Sequence, residues 1–284
     1  MYKIGLSSCG FSLTENNFEA LHNAGISAIE ISMPAEAYKD INYKEVEALS
    51  RKHEVGLWSY HLPFGPFSEI DPSSPDSGIR KHTMEYFSDL IKKGADIGID
   101  KFVVHASGEA ISAEERPERM KYSMQSLAEL AEVAAKNGAC IAVEDLPRTC
   151  LGNSAEDVLR LISVNDKLKV CFDTNHLLED NNLNFMSRLA DKIVTVHVSD
   201  YDFVNERHWL PGEGKLDWKA MIAKFREISY NGMWMYEIDL KCPKTIIRDR
   251  DLTFEDFYRN ATEIFTGSEL TVFSRQKENL GMWY

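Results

Sequence analysis

Six ionisable side chains share one kind of position, because each ends a short apolar or β-branched run of the sequence. They are His61, His105, Glu144, Asp173, His197 and Glu237. Burying several carboxylates together is costly, since they lose water and repel one another. A bound cation removes both costs. The repeated position therefore favours a shared metal site over ordinary packing. A further carboxylate, Glu30, lies inside the second apolar run rather than at its end.

Three carboxylates and one imidazole form the expected ligand set, which consists of Glu144, Asp173, His197 and Glu237. An oxygen-rich set of this kind favours hard divalent ions over the ions that thiolates select. We expect one ion, with Mn²⁺ as the first candidate and Mg²⁺, Co²⁺, Fe²⁺ and Zn²⁺ as alternatives. Ligands from four consecutive strands cluster on one side of a site and leave coordination positions for substrate oxygens.

The elements that position these residues alternate between short apolar runs and longer stretches with helical periodicity. Predicted strands are Lys3–Ser7, Ala28–Ser32, Gly56–His61, Lys101–His105, Cys140–Glu144, Lys169–Asp173, Ile193–Val198 and Met233–Ile238. Predicted helices are Glu15–Ala24, Tyr43–His53, Ile79–Ile97, Arg116–Asn137, Ala155–Val164, Phe185–Ala190, Trp218–Ile228 and Phe254–Phe265.

Eight strand–helix units in 284 residues predict an α/β fold, a single (β/α)8 TIM barrel domain over residues 1–284. The Gly-x-Gly-x-x-Gly turn of a doubly wound sheet is absent after the first strand. In a barrel, the carboxyl ends of the strands form the mouth in which active sites lie. Residues 63–77 are predicted to form one long loop near that mouth, and one role open to this loop is that of a lid over the site. A tail from about residue 268 is expected to pack on the barrel or on a second subunit. In the second case the protein would be a homo-oligomer, and both alternatives stay open.

Composition and charge narrow the class of protein. The chain has 44% hydrophobic and 27% charged residues, which is enough apolar material for a core. Its formal net charge of −13 disfavours binding to the phosphate backbone of nucleic acids. There is no apolar run long enough to span a bilayer and no signal-peptide pattern at the amino terminus. Five cysteines without a Cys-x-x-Cys pair are typical of free thiols. We expect a cytoplasmic protein with neither nucleic acid nor membrane as partner.

Several segments together resemble the xylose isomerase-like barrel superfamily of sugar and sugar-phosphate isomerases and epimerases. The most specific are Asp-Thr-Asn-His at residues 173–176 and Pro-Gly-Glu-Gly-Lys-Leu-Asp-Trp at residues 211–218. The resemblance covers nearly the whole chain, from the first strand to the eighth. Similarity to its ketose 3-epimerases implies that Glu144, Asp173, His197 and Glu237 bind one metal ion. It also implies that Glu144 and Glu237 are the acid–base pair, and that His176 and Arg207 contact the substrate.

The implied reaction explains why two glutamates are needed. Removing a weakly acidic proton next to a carbonyl or hydroxyl carbon creates an enediolate, which positive charge stabilises. One carboxylate on each face of the sugar then removes and returns the proton. We expect a metal-dependent isomerase or epimerase of a small sugar or sugar phosphate. The other histidines near the predicted mouth, His61, His105 and His208, are expected to bind substrate. Arg207 either contacts substrate or forms a salt bridge with Glu206 or Glu213.

Three other functions compete with this prediction. A dehydratase or lyase on the same scaffold shares the enediolate and differs only in losing a β-hydroxyl. A trinuclear-zinc apurinic endonuclease needs a ligand set that the sequence matches, except that Glu206 occupies a position where those enzymes usually carry Asp; the full set is His61, His105, Glu144, Asp173, His176, His197, Glu206, His208 and Glu237. The net charge and the acidic residues within 200–203 argue against DNA. A non-catalytic barrel is expected to lack a ligand, and none is missing.

Overall fold

The computed structural model describes residues 1–277 as eight parallel strands surrounded by helices. The strands are β1 (Ile4–Ser7), β2 (Ala28–Ile31), β3 (Gly56–His61), β4 (Lys101–His105), β5 (Cys140–Glu144), β6 (Lys169–Asp173), β7 (Ile193–His197) and β8 (Trp234–Tyr236). Their order in the sheet is β7-β6-β5-β4-β3-β2-β1-β8. The two outer strands approach each other through a parallel bridge between Val198 and Tyr236. This nearly closed arrangement confirms the predicted single (β/α)8 barrel.

The helices occupy the predicted intervals with small shifts at their ends. They are α1 (Glu15–Asn23), α2 (Tyr43–His53), α3 (Ser77–Asp96), α4 (Arg116–Lys136), α5 (Ala155–Ile162), α6 (Asn182–Leu189), α7 (Trp218–Glu227) and α8 (Phe254–Thr266). The largest shift is in α6, which begins three residues before the predicted start at Phe185. Asn181 explains it, because its side chain accepts the backbone N–H groups of Leu183 and Asn184 and so caps the helix there.

The interior of the barrel changes in character along its axis. At the amino ends of the strands Ala28, Met233 and Met235 form a buried apolar cluster with Trp58 against it. Gly5 belongs to this end because a Cβ there would lie 2.6 Å from the Met235 methyl group. The carboxyl ends of the strands carry the ionisable residues instead. The interior of the barrel is thus apolar at one end and carries the candidate functional residues at the other.

The carboxyl-terminal segment takes part in a two-stranded antiparallel sheet that the sequence analysis did not predict. Strand β9 (Ile246–Arg248) precedes α8 and pairs with β10 (Ser274–Gln276), which lies inside the interval predicted as a tail. The Gln276 side chain donates to the backbone oxygen of Glu213 at 3.0 Å, and Leu270 packs against the core. The part of this segment within residues 268–277 therefore packs on the barrel. Residues 278–284 of the predicted tail lie outside the described residues.

The long loop after β3 is only partly free to act as a lid. Within its second half, residues 70–74 are buried, whereas residues 75 and 76, which lead into α3, are exposed. Asp71 fastens it by accepting hydrogen bonds from the backbone N–H groups of Ser73 and Gly108 and by pairing with Arg119 at 2.7 Å. Phe64, in the first half, stays 52% exposed. Only this first half faces solvent near the mouth. No helix among residues 1–277 has the length and apolarity needed to cross a membrane.

Candidate active site

Four strands deliver the four predicted ligands to one place. Glu144, Asp173 and His197 are the last residues of β5, β6 and β7, and Glu237 directly follows β8. One donor atom from each lies within 4.8 Å of the donor atoms of the others. The His197 Nδ1 atom is central, since it lies 2.8 Å from Glu144 Oε1, 3.5 Å from Glu237 Oε2 and 3.9 Å from Asp173 Oδ2. The strand register thus brings together residues that are up to 93 positions apart in sequence.

This donor set fits a divalent cation. All four residues have buried side chains, and that of Glu237 keeps the largest exposed fraction, 12%. Asp173 Oδ2 is buried and has no hydrogen-bond partner among the described residues. A buried carboxylate oxygen without a partner is energetically unfavourable unless a cation or an added donor satisfies it. Three carboxylates and one imidazole nitrogen around a common point provide oxygen-rich coordination with room for further ligands.

Two histidines flank Glu144 on the side of β3 and β4. The Nε2 atoms of His61 and His105 each lie 3.1 Å from Glu144 Oε2. His61 Nδ1 lies 2.8 Å from the backbone oxygen of Leu62, so a proton on Nδ1 satisfies that carbonyl and Nε2 faces inward. The Phe64 ring stacks on His105 with 4.5 Å between ring centroids. His61 and His105, which were both predicted to bind substrate, therefore line the site next to the partly exposed Phe64 ring.

A third group lies on the opposite side of Asp173. His176 Nε2 is 3.2 Å from Glu206 Oε2 and 3.6 Å from Asp173 Oδ2. His208, whose side chain is 35% exposed, places Nδ1 3.7 Å from Glu237 Oε2. His176, Glu206 and His208 also offer donor atoms within 4.8 Å of one another. Arg148 forms an ion pair with Glu206 at 2.7 Å, so this carboxylate already has a cationic partner.

The Asp-Thr-Asn-His segment explains how the loop after β7 is held against the site. Asn175 Oδ1 accepts the backbone N–H groups of Arg207 and His208 at 2.8 and 3.3 Å. Thr174 Oγ1 donates to the backbone oxygen of Ser199 at 2.6 Å. Asp173 Oδ1 in turn accepts the backbone N–H of Asn175. One strand end therefore supplies a candidate ligand and also orients the neighbouring loop.

Arg207 is a buried arginine that forms an ion pair within the loop after β7. Its side chain has no exposed surface, and its Nε donates to Asp202 Oδ2 at 2.9 Å. The salt bridge that we expected with Glu206 or Glu213 thus exists with Asp202. Glu213 pairs with the buried Arg248 at 2.5 Å. A substrate contact by Arg207 stays a prediction, because it requires this buried side chain to reach the substrate.

The acidic residues at 200–203 hold the loop together instead of presenting charge at the surface. Asp200 is buried and accepts the backbone N–H groups of Gly212 and Leu216 and the indole N–H of Trp218. A Cβ at Gly214 would lie 2.2 Å from Asp200 Oδ1, which explains the second glycine of the turn. The acidic residues of this segment, which the sequence analysis used as an argument against DNA, are therefore buried and do not form an acidic surface. The Asp200 carboxylate is used for hydrogen bonds within the loop.

Two perturbed groups define the electrostatics of the site. Burial lowers the pKa of His61, but the hydrogen bond to Glu144 and the charge of that carboxylate outweigh burial and raise the pKa to about 9. Burial, together with the negative charge of Glu237, raises the pKa of Asp173 to about 6, although His176 opposes the rise. The negative charge of Glu237 beside Asp173 favours a cation at this site, because a cation stabilises the ionised form of both carboxyl groups.

The fold agrees with comparisons to known proteins. The family described as Xylose isomerase-like TIM barrel matches residues 18–253, and the chain belongs to this family. D-psicose 3-epimerase of Ruminiclostridium cellulolyticum is 27% identical over 235 residues, which cover 77% of this chain and 76% of that protein. Fructoselysine 3-epimerase of Shigella flexneri is 24% identical over 286 residues, covering 89% of this chain and 99% of that protein.

A solved structure gives the same result. A D-tagatose 3-epimerase-like protein superposes on this chain with a TM-score of 0.74 at 26% sequence identity, and the match covers 84% of this chain and 90% of the other. The chain thus has sugar epimerases among its relatives, as the sequence motifs implied. These names describe the relatives, whose chemistry is compared with the site below.

Proposed function

We propose that this protein is a divalent-metal-dependent epimerase or isomerase of a small sugar, with Glu144 and Glu237 as its acid–base pair. One observation carries the proposal: Glu144, Asp173, His197 and Glu237 converge from four consecutive strand ends until their donor atoms lie within 4.8 Å of one another. Ketose epimerases among the relatives support the choice of substrate class. We propose Mn²⁺ as the first ion to test and a ketose or ketose phosphate as the first substrates.

The two glutamates differ in how the fold holds them. Glu144 is completely buried, and two imidazole nitrogens near Oε2 and a third near Oε1 restrain its carboxylate. Glu237 keeps 12% of its side chain exposed and lies nearer to the loop of His208. Substrate entering the mouth therefore meets Glu237 directly. We propose that the two carboxylates act on opposite faces of the reacting carbon, one removing a proton and the other returning it.

The rest of the proposed chemistry depends on the charge of the bound ion and on the side chains that surround the substrate. A bound divalent ion would supply positive charge beside the substrate oxygens on which negative charge develops. His61, His105, His176 and His208 surround this point and offer ring nitrogens to substrate hydroxyl groups. The Phe64 ring beside His105 provides an apolar surface for the less polar face of a sugar. A cytoplasmic location and a homo-oligomeric state stay proposals from the sequence.

Turnover in heavy water tests the proposed chemistry. The native enzyme, loaded with Mn²⁺ and supplied with a panel of ketoses and ketose phosphates, is expected to invert one carbon and to incorporate deuterium there. Removing the ion with a chelator is expected to abolish activity, and Asp173→Ala to lower metal content without unfolding the barrel. Inversion without deuterium incorporation contradicts the proton-transfer mechanism. An unsaturated or deoxy-keto product identifies a dehydratase instead.

A second candidate, an apurinic endonuclease, is favoured by a specific observation. The structure gathers two further groups of donors around the central one: His61, His105 and Glu144 form one, and His176, Glu206 and His208 form the other. These are the additional ligands that a trinuclear-zinc nuclease needs. The ion pair between Arg148 and Glu206 and the net charge of −13 weigh against it. Cleavage of DNA at an abasic site, with two or three zinc ions per chain, would replace the epimerase proposal.

A further inference from the structure

A buried carboxylate behind the proposed metal site has no role in the mechanism described so far. Glu30 lies in β2, is 0% exposed, and accepts a hydrogen bond from Ser59 Oγ at 2.8 Å. Its other neighbour is His197, whose Nε2 lies 3.0 Å from Oε1 and 3.1 Å from Oε2. Desolvating a carboxylate completely is costly, so its presence here calls for a specific partner rather than for packing.

His197 therefore lies between two carboxylates that face its two ring nitrogens. Nδ1 faces Glu144 at 2.8 Å on the side of the ligand cluster, and Nε2 faces Glu30 on the other side. A neutral imidazole carries only one proton. When this proton is on Nε2 and is donated to Glu30, the lone pair of Nδ1 points at Glu144, Asp173 and Glu237. When the proton is on Nδ1, the lone pair of the ring is on Nε2 and points away from the cluster in which a cation would bind.

Other histidines of the site are oriented by the backbone. His61 and His176 each place Nδ1 2.8 Å from a backbone oxygen, of Leu62 and Asp145 respectively. Each of those carbonyls accepts the proton on Nδ1 and so turns Nε2 inward. For His197 the orienting partner is a side chain, and the nitrogen that faces inward is the opposite one. The orientation of the proposed histidine ligand thus depends on a residue 167 positions away in sequence.

We propose that Glu30 is a positioning residue, which holds His197 in the tautomer and ring orientation that present Nδ1 to the metal ion. The inference rests on the proposed function, because it assumes that Glu144, Asp173, His197 and Glu237 bind a divalent cation. Carboxylates that accept a hydrogen bond from a metal-binding histidine fix its ring and increase its basicity. Ser59 holds the Glu30 carboxylate, and so completes a chain from β3 through β2 to β7.

Titration of the full-length protein with Mn²⁺ alone tests this assignment. Glu30→Gln keeps the size of the side chain but replaces the charged acceptor. We expect the Kd for Mn²⁺, measured by calorimetry, to rise about 10- to 100-fold. The Tm of the metal-free variant is expected not to fall, since an amide replaces a desolvated charge. A purely structural role would do the reverse: the Tm would fall and the Kd for Mn²⁺ would stay within about twofold of native.

Two matched variants separate orientation from packing. Ser59→Ala removes the other hydrogen bond to Glu30 and leaves the carboxylate beside His197, so its Kd is expected to change less than that of Glu30→Gln. Glu30→Asp keeps the charge but shortens the reach, and is expected to lie between native and Gln. If Glu30→Gln does not fold, Glu30→Asp carries the test, and a native Kd for Mn²⁺ in that variant overturns the inference.

A spectroscopic measurement addresses the tautomer itself. Proton–nitrogen correlation spectra of the imidazoles in the Mg²⁺-loaded native protein are expected to show the His197 proton on Nε2. A proton on Nδ1 overturns the inference. Failure of the inference is distinguishable from failure of the proposed function. If the native chain binds no divalent ion, the metal-dependent function fails as well, whereas an unchanged Kd in Glu30→Gln removes only the role of Glu30.

Discussion

The two ends of the barrel are built from opposite kinds of side chain. At the carboxyl end, Glu144, Asp173 and His197 are all completely buried and carry charge or polarity. At the amino end, Met233 and Met235 fill the same barrel interior with apolar volume. Burial at the amino end stabilises the fold, whereas burial at the carboxyl end costs stability unless a cation is present.

This contrast shows that similar burial has different meanings at different places in one fold. Conservative loss of charge at the mouth should remove function and leave stability intact. Loss of volume at the opposite end should do the converse. Experiments that violate either expectation would break the division of the barrel into a functional and a stabilising end.

The largest effect is expected from removing a proton acceptor at the mouth. Glu237→Gln keeps the side-chain volume and one oxygen donor but removes the base, so kcat should fall about a thousandfold while KM changes little. Steady-state kinetics with the best substrate measures this. The exposed Glu227→Gln on α7 is the matched control and should keep native activity. Retention of most of the activity in Glu237→Gln would remove this residue from the acid–base pair.

A smaller effect, on stability instead of activity, is expected at the amino end. Met233→Ala should lower the free energy of unfolding by about 2–5 kcal/mol, since it removes apolar volume from the buried cluster with Ala28 and Met235. The kcat of the folded variant should stay near the native value. Denaturant unfolding and kinetics at low temperature measure the two quantities. Val272→Ala, at a position that is 53% exposed, should change stability by no more than about 0.5 kcal/mol. A large fall in kcat for Met233→Ala would contradict the separation of the two ends.

The smallest effect concerns the dependence of metal binding on pH. Burial raises the pKa of Asp173 to about 6, so protons compete with a cation for this carboxyl group below that pH. From this group alone, the affinity for Mn²⁺ should weaken about tenfold between pH 7 and pH 5. In the metal-free protein the sign for stability is opposite. A raised carboxyl pKa contributes stability at low pH that is lost as the pH rises through the range from 3.8 to about 6. Calorimetric titration and thermal unfolding across this range measure both trends.

The disagreements between sequence and structure lie where contacts in the folded chain decide. The β9–β10 pair joins residues of 246–248 to residues of 274–276 across the intervening helix α8, and neither segment has the alternation that marks a strand by itself. Arg207 pairs with Asp202, although Glu206 is nearer in sequence and equally charged. The Asp200 carboxylate accepts hydrogen bonds within its loop and is not a surface charge. Each outcome depends on which groups the folded chain excludes from water.

The sequence by itself determined the eight-unit barrel and the residues that end its strands, because the period of apolar residues is a local property of the chain. It also identified Glu144, Asp173, His197 and Glu237 as candidate ligands, since strand ends of one barrel must meet at one mouth. Only the tertiary structure decided which nitrogen of His197 faces that cluster, and that Glu30 faces the other. That choice depends on the register and twist of strands far apart in sequence, which bring atoms to within 3.0 Å. No pattern within either segment encodes that distance.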